Sequence, residues 1–258
     1  MILTWLAVGI AIFLGMLLIW AASVRLKNSS IVDIFWGLLF VLAAWIVFFS
    51  SPDGFFFRKI LVAGMVSIWG LRLAWHVYRR NHGKPEDFRY AAWRTQHGST
   101  WWWRSFFQIF LLQGLLAWII CWPLVPAISA ASPAQLTVWD FLGLILWLIG
   151  FLFEAEGDLQ LARFRTDAAN KGKVLNQGLW KYTRHPNYFG DAVQWWGWFL
   201  IALGVGGWWT IFSPILMTFL LMRVSGVVML ERTLAVEKPG YREYIEKTSS
   251  FFPWLPKK

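Results

Sequence analysis

The stretch ILTWLAVGIAIFLGMLLIWAASV, residues 2–24, runs for 23 residues without a charged side chain. A helix rises about 1.5 Å per residue, so roughly 20 apolar residues cross the ~30 Å hydrocarbon core of a bilayer, and this stretch predicts a membrane-spanning helix. It is longer than the apolar core of a secretory signal, no positive segment precedes it, and Arg25 and Lys27 follow it. It is therefore expected to stay in the membrane.

Six further apolar runs follow along the chain, at 31–49, 59–78, 106–128, 137–153, 191–205 and 208–230. The sixth of the seven is short, and the fifth and seventh helices are expected to run on past the membrane. With 58% hydrophobic residues, 21 Trp and 22 Phe against 15% charged, the composition lies above the ~45–50% apolar share of soluble domains. The expected fold is an all-α polytopic membrane protein of seven transmembrane helices. It reads as a single membrane domain, 1–258, with four helices in 1–133 and three helices plus a tail in 134–258.

Lysine and arginine gather in cytoplasmic loops, which orients the bundle. Arg25 and Lys27 follow the first run, the third connection holds Arg79, Arg80, Lys84, Arg89, Arg94 and Arg104, and the fifth holds Lys171, Lys173, Lys181 and Arg184. The connections at 129–136 and 204–207 carry no charge, and only the second, with Asp53, Arg58 and Lys59, is mixed. The N-terminus is expected outside and the C-terminus in the cytoplasm. The same bias accounts for the net charge of +10, so no nucleic-acid partner is implied. Cys121 is the single cysteine and the four histidines lack zinc-site spacing, which argues against a disulfide framework and against a metal.

Between the fifth and sixth runs, residues 178–196 read GLWKYTRHPNYFGDAVQWW. Arg184, His185, Asn187, Tyr188 and Asp191 fall within eight residues at a membrane boundary, where polar side chains without partners are costly and mark a functional site. The plainer alternative is that Lys181 and Arg184 only flank a helix end. Upstream, Glu154, Asp158 and Arg165 recur at spacings of four and seven, which puts them on one helical face. A solvated helix end with an internal ion pair has the same spacing. The loop between contains Gly172 and Gly178, suited to tight turns, and Lys171, Lys173 and Lys181, suited to phosphate. No GxGxxG follows a strand, so a nucleotide would bind among helices.

The pattern from Glu154 through Asp158 to Arg165, then GLWKYTRHPNYFGD, LER around Glu231 and YREY ending at Tyr244, resembles the C-terminal region of the steroid 5-alpha reductase family, its bacterial branch above all. RHPNYFGD is also similar to the matching segment of NADPH-dependent sterol reductases. The N-terminal half resembles the bacterial branch through SIVDIFWG, residues 30–37, and RLAWHVYRR, residues 72–80. Where animal members use a Gln-Glu pair and a Tyr, this chain offers Asp33 and Trp69.

The resemblance implies that helices five to seven hold NADPH, entering from the cytoplasm of a bacterial inner-membrane protein, while helices one to four enclose an apolar, steroid-like or lipid substrate. Carried over by position, Glu154, Asp158, Arg165, Lys173, Arg184, His185, Asn187, Tyr188, Asp191, Gln194, Glu231 and Tyr244 would bind the cofactor. The implied reaction is reduction of the enone of a 3-oxo-Δ4 steroid or similar lipid, with Asp33 donating to the ketone and Trp36 and Trp69 walling it. Asp33 is equally placed to be a first-turn carboxylate favoured by the helix dipole and the cap at Ser29 or Ser30. Arg72, Glu86, Asp87, Arg89 and Tyr90 form either a polar lid or a solvated loop. Nothing in the chain demands more than a monomer.

Two rivals stay open. An isoprenylcysteine carboxyl methyltransferase-like enzyme shares an RHPxYxG segment and binds S-adenosylmethionine, but it tends to carry paired glutamates where this chain has Glu231 followed by Arg232. A sterol-binding or transport protein would keep the apolar cavity without needing the polar cluster.

Overall fold

The computed structural model describes residues 2–224, 226–227, 230–231, 234 and 238–257. Helix dominates, and no strand occurs among the described residues. Five helical stretches, Ile2–Leu26, Ser29–Ser50, Phe56–Asn81, Phe88–Ile120 and Val138–Thr166, are long and apolar enough to cross a membrane, and Trp208–Val224 is a shorter apolar helix. The chain is an integral membrane protein. It divides into two compact units, one of Met1–Thr137 with Gly204–Gly207 and one of Val138–Leu203 with Trp208–Lys258.

In the first unit, α1 spans Ile2–Leu26, a 3-10 turn at Ser29–Ile31 leads into α2 at Val32–Ser50, and α3 spans Phe56–Asn81. The buried residues of α1 are Val8, Ile12, Met16, Ile19 and Ser23, a stripe three or four residues apart that turns one face to the protein. Its other face keeps Leu3 and Leu18 exposed, as a lipid-facing surface does. Where α2 crosses α3, a Cβ on Gly37 would lie 2.7 Å from the carbonyl oxygen of Gly70, and one on Gly70 2.6 Å from that of Gly37. Only the missing side chains let the two backbones meet.

The end of α1 has an unusual residue. Asn28 N–H donates to the Ser23 carbonyl and Lys27 N–H to that of Val24, a Schellman closure whose left-handed position usually goes to glycine. Here Lys27 holds it, at φ 51°, a conformation that costs a side-chain-bearing residue about 1 kcal/mol or more.

The fourth run extends in an unexpected direction. Helix begins at Phe88 with α4, Phe88–His97, and after a 3-10 turn continues as α5, Trp101–Ser105, a π turn at Phe106–Leu111, and α6, Leu112–Ile120. Residues 121–123 break it, and α7 is the short Leu124–Ser129. Pro123 has no N–H to continue the ladder. The two cations of the mixed second connection are buried and turn inward. Arg58 donates to the carbonyls of Pro133 and Gln135 at 3.1 and 2.7 Å, and Lys59 to that of Ser51 at 2.6 Å.

The second unit is built on α8, Val138–Thr166, and α9, Pro186–Leu203, joined through 3-10 turns at Ala168–Asn170 and Gly178–Lys181. Gly172 and Gly178 take φ of 80° and 58°, where glycine is favoured. Pro186 opens α9, a first-turn position that needs no N–H. Gly143 and Gly150 of α8 face Gly197 and Gly190 of α9, and a Cβ on either of the first two would lie 2.6 Å from the opposing glycine's carbonyl oxygen. The chain continues through a 3-10 turn at Trp208–Ile211, α10 at Phe212–Phe219, a π turn at Leu220–Val224 and, near its end, α11 at Tyr241–Lys247.

Candidate functional site

The seven-residue repeat of glycines along α8 and α9 brings two polar pairs together. Asn187 Nδ2 donates to Asp158 Oδ1 at 3.0 Å, and Gln194 Nε2 donates to Glu154 Oε2 at 2.6 Å. Asn187, Asp191 and Gln194 lie at i, i+4 and i+7 on α9, while Glu154 and Asp158 lie at i and i+4 on α8, so one face of each helix carries the set. Glu154, Asp158, Asp191 and Gln194 are all buried. A carboxylate only accepts, which fixes each amide with its NH2 toward the acid and its oxygen away. Asn187 Oδ1 and Gln194 Oε1 are buried and take no donor among the described residues, a state that costs about 1–3 kcal/mol per group. A ligand that offers N–H or O–H donors relieves that cost.

Arg184 is used differently. It is buried, its Nε and Nη2 pair with the two oxygens of Glu231 at 2.7 and 3.0 Å, and its Nη1 donates to the carbonyls of Ile245, at 2.9 Å, and Thr248. The His185 ring reaches Glu231 Oε1 at 3.1 Å and stacks on Tyr188 with ring centres 5.6 Å apart. Burial pushes the Glu231 carboxyl up, but the hydrogen bonds from His185 and Arg184 outweigh it and its pKa lies below the ordinary carboxylate value. Tyr244 donates to the Trp180 carbonyl at 2.5 Å. Thr183 Oγ1 donates to the Phe251 carbonyl, and Trp254 N–H to that of Tyr182. Arg184, Glu231 and Tyr244 therefore strap the C-terminal segment to the start of α9. Arg165 and Lys173 stay exposed, and the Lys173 carbonyl accepts from Lys238 Nζ.

The first unit holds its own polar group. Asp33, in the first turn of α2, accepts from the Tyr90 hydroxyl at 2.8 Å and from Arg89 Nη2 at 3.4 Å, and Gln113 Nε2 lies 3.4 Å from the Tyr90 oxygen. Arg89 also binds Asp87 at 2.8 Å, and Arg94 binds Glu86 at 2.8 and 2.9 Å. Burial raises both the Glu86 and the Asp87 carboxyls, but Arg94 and the Ser29 N–H on the first, and Arg89 on the second, carry them below the usual carboxylate range. Trp36 meets Phe40 edge to face at 5.3 Å, and Phe40 lies 5.6 Å from the fully buried Trp69. Among the described residues, no group of three His, Cys, Asp or Glu side chains is placed to hold a metal.

A profile of the family described as "Protein of unknown function (DUF1295)" matches residues 19–248. The chain belongs to that family. DUF1295 is a steroid 5-alpha reductase-like family, so the resemblance drawn from the RHPNYFGD segment holds. An uncharacterised protein of Schizosaccharomyces pombe is 27% identical over 266 residues, covering 92% of this DUF1295 chain and 76% of the relative. The 3-oxo-5-alpha-steroid 4-dehydrogenase 1 of Bos taurus is 36% identical over 66 residues, 26% of each chain. Steroid 5-alpha-reductase DET2 of Gossypium hirsutum is 31% identical over 65 residues, 25% of each. The matches to these named reductases thus span about a quarter of their length. No solved structure matches.

Of the residues expected from sequence, this DUF1295 member brings Glu154, Asp158, Asn187 and Gln194 into direct pairs, with Asp191 buried on the same α9 face. It groups Arg184, His185, Tyr188 and Glu231 in a second cluster. From sequence Tyr90 reads as part of a polar lid or a solvated loop. Its contact with Asp33 spans 57 positions, and no local pattern announces it.

Proposed function

We propose that this chain reduces the enone double bond of a 3-oxo-Δ4 steroid or a similar apolar lipid with NADPH. The observation that carries the reading is the Tyr90 hydroxyl donating to Asp33, with Arg89 on the other side of the carboxylate. Charge develops on a ketone oxygen as its conjugated double bond is reduced, and a positioned hydroxyl lowers that barrier. Asp33 was expected as the donor. The Tyr90 hydroxyl, 2.8 Å from Asp33, is a second group able to donate, and we assign the ketone contact to Tyr90 with Asp33 as its positioning partner. A tyrosine hydroxyl has one hydrogen, so polarising a ketone means exchanging Asp33 for the ketone oxygen while Arg89 continues to balance the acid. Trp36 is suited to the face of an apolar substrate, with the buried Phe40 packed against it and Trp69 beyond.

The α8–α9 set fits the cofactor. The two orphaned amide oxygens accept from carboxamide N–H or ribose O–H donors, which a nicotinamide dinucleotide carries, and the exposed Arg165 and Lys173 suit its phosphates. NADPH, when bound, supplies the hydride. Asp158 and Glu154 hold the amides in the orientation that leaves their oxygens to the ligand. Arg184 supports the site through the tail rather than by touching phosphate.

We place the chain in a bacterial inner membrane as a monomer with seven spans, counting α9 and Trp208–Val224, the N-terminus outside and the cofactor residues toward the cytoplasm. The basic connections support that orientation, and the exception at Arg58 and Lys59 is explained by side chains engaged with carbonyls.

The test is to titrate detergent-purified protein with NADPH, NADH and S-adenosylmethionine in parallel, then to add a 3-oxo-Δ4 steroid and follow loss of nicotinamide absorbance and appearance of the saturated ketone. NADPH binding with steroid turnover is expected. S-adenosylmethionine binding without NADPH binding overturns the reading in favour of the methyltransferase, and lipid binding without either cofactor overturns it in favour of a carrier.

A further inference from the structure

A cleft of about 220 Å³ opens at the C-terminal end of α1, lined among others by Lys27, Ser29, Arg94, Ser99, Trp101 and Trp102. It lies wholly within the first unit; Arg94 and Ser29, of the Glu86 pairing described above, line it, while Asp33, Tyr90 and the α8–α9 pairs do not. Its size is below the ~300–1,000 Å³ of pockets for drug-sized molecules, so it takes a small group rather than a whole lipid or steroid.

Several donors in the cleft are unspent among the described residues. Arg94 uses Nε and Nη2 on Glu86 and Ser29, which leaves Nη1 with its two hydrogens. The Ser29 hydroxyl oxygen is already covered by Arg94 and by Trp101 Nε1 at 3.2 Å. The Lys27 ammonium and the Ser99 hydroxyl have no partner among the described residues and are exposed. With Arg94 balanced by Glu86, one net positive charge remains, on Lys27. That lysine sits where the closure of α1 favours glycine, so the fold retains a side chain at a position that penalises it. Trp102, 55% exposed, and the end of the first span put the cleft at the level where lipid headgroups lie.

We infer that this cleft binds a monoanionic phosphate group, presented by an anionic phospholipid headgroup or by a soluble phosphate compound. Lys27 provides the charge. Arg94 Nη1 and the Ser99 hydroxyl provide directed hydrogen bonds to phosphate oxygens.

The experiment uses the full chain in uncharged detergent and follows tryptophan fluorescence during titration with short-chain phosphatidylglycerol, phosphatidylcholine of the same chain length, and inorganic phosphate. Phosphatidylglycerol is expected to bind saturably and about fivefold or more tighter than phosphatidylcholine, the factor that one basic residue near a membrane surface contributes. Lys27→Gly relieves the backbone and removes the amine, so it is expected to melt no lower than the parent while binding weakens about fivefold; Lys27→Arg is expected to keep the affinity. Ser99→Asp, an exposed change that adds a like charge, gives a second reading of the same loss. Competition by inorganic phosphate assigns the site to a soluble phosphate, and its failure to compete assigns it to lipid. Equal binding of the two lipids, or unchanged phosphatidylglycerol binding in both Lys27→Gly and Ser99→Asp, overturns the inference.

Discussion

Replacing Gly190 by alanine tests the α8–α9 contact most directly. The added Cβ would lie 2.9 Å from the Glu154 Cα and closer still to the Glu154 nitrogen and the Gly150 carbonyl oxygen. Carbon atoms pack at about 3.5–4.0 Å, so the helices must separate by roughly 1 Å. All three obstacles are backbone and none has a rotamer to escape into. Overpacking costs about 1–3 kcal/mol, and the upper figure applies because Asn187 and Gln194, one turn to either side, lose alignment with Asp158 and Glu154. At about 2–4 °C per kcal/mol for a chain of this size, the melting temperature should fall by about 6–12 °C. Gly64, on α3, is the control, since a Cβ there meets nothing within 4 Å. Gly64→Ala should gain about 0.5–1 kcal/mol from helix propensity and melt slightly higher. Thermal unfolding in detergent, read by tryptophan fluorescence, measures both. A Gly190→Ala protein that melts within about 2 °C of the parent refutes backbone contact between the helices.

Tyr90→Phe should lower kcat by about 100-fold, the usual loss on removing one oxyanion donor, with NADPH affinity unchanged, whereas Asp33→Asn should spare cofactor binding and reduce turnover less. Unaltered turnover in Tyr90→Phe returns the donor role to another group. Asn187→Ala should weaken NADPH binding by about tenfold, one hydrogen bond's worth, in a fluorescence titration, and Asp191→Ala should weaken it too; two variants that bind as the parent does remove α9 from the cofactor site. The Glu231 carboxyl, depressed in the folded chain, contributes stability that is full above its unfolded pKa of about 4.3 and is lost as pH falls through its lower folded value. Limited proteolysis of the tail should therefore quicken in acid, and in Glu231→Gln it should be fast at every pH.

How far the sequence was legible depends on what kind of signal each element carries. Hydropathy located α1, α2, α3 and the start of α8 because crossing a bilayer demands an uninterrupted apolar run. It missed α4, where Arg89, Arg94 and His97 interrupt the run although the backbone ladder continues. Hydropathy measures transfer of side chains and is blind to main-chain bonding. On α8, Glu154 and Asp158 were visible on one face by their spacing of four, since helical periodicity maps directly onto a face, whereas Asn187, Asp191 and Gln194 were visible through the polar density of their segment and the family resemblance. The Asp33–Tyr90 bond was not, because it joins separate helices. Neither was the true employment of Arg184, two of whose partners are the carbonyls of Ile245 and Thr248, which every residue possesses and no side chain advertises.

That employment sets an order of events during synthesis. The α8–α9 pair is complete once Leu203 has left the ribosome, but the acceptor farthest from Arg184, the Thr248 carbonyl, lies 64 residues behind it. At about 5–20 residues per second, the guanidinium waits roughly 3–13 s for it. Glu231, 47 residues on, can pair with the guanidinium before that, but Nη1 still lacks its carbonyls and the RHPNY segment is only partly secured. A chain cut before Thr248 would keep its apolar spans and still lack these carbonyl bonds at the entrance to α9.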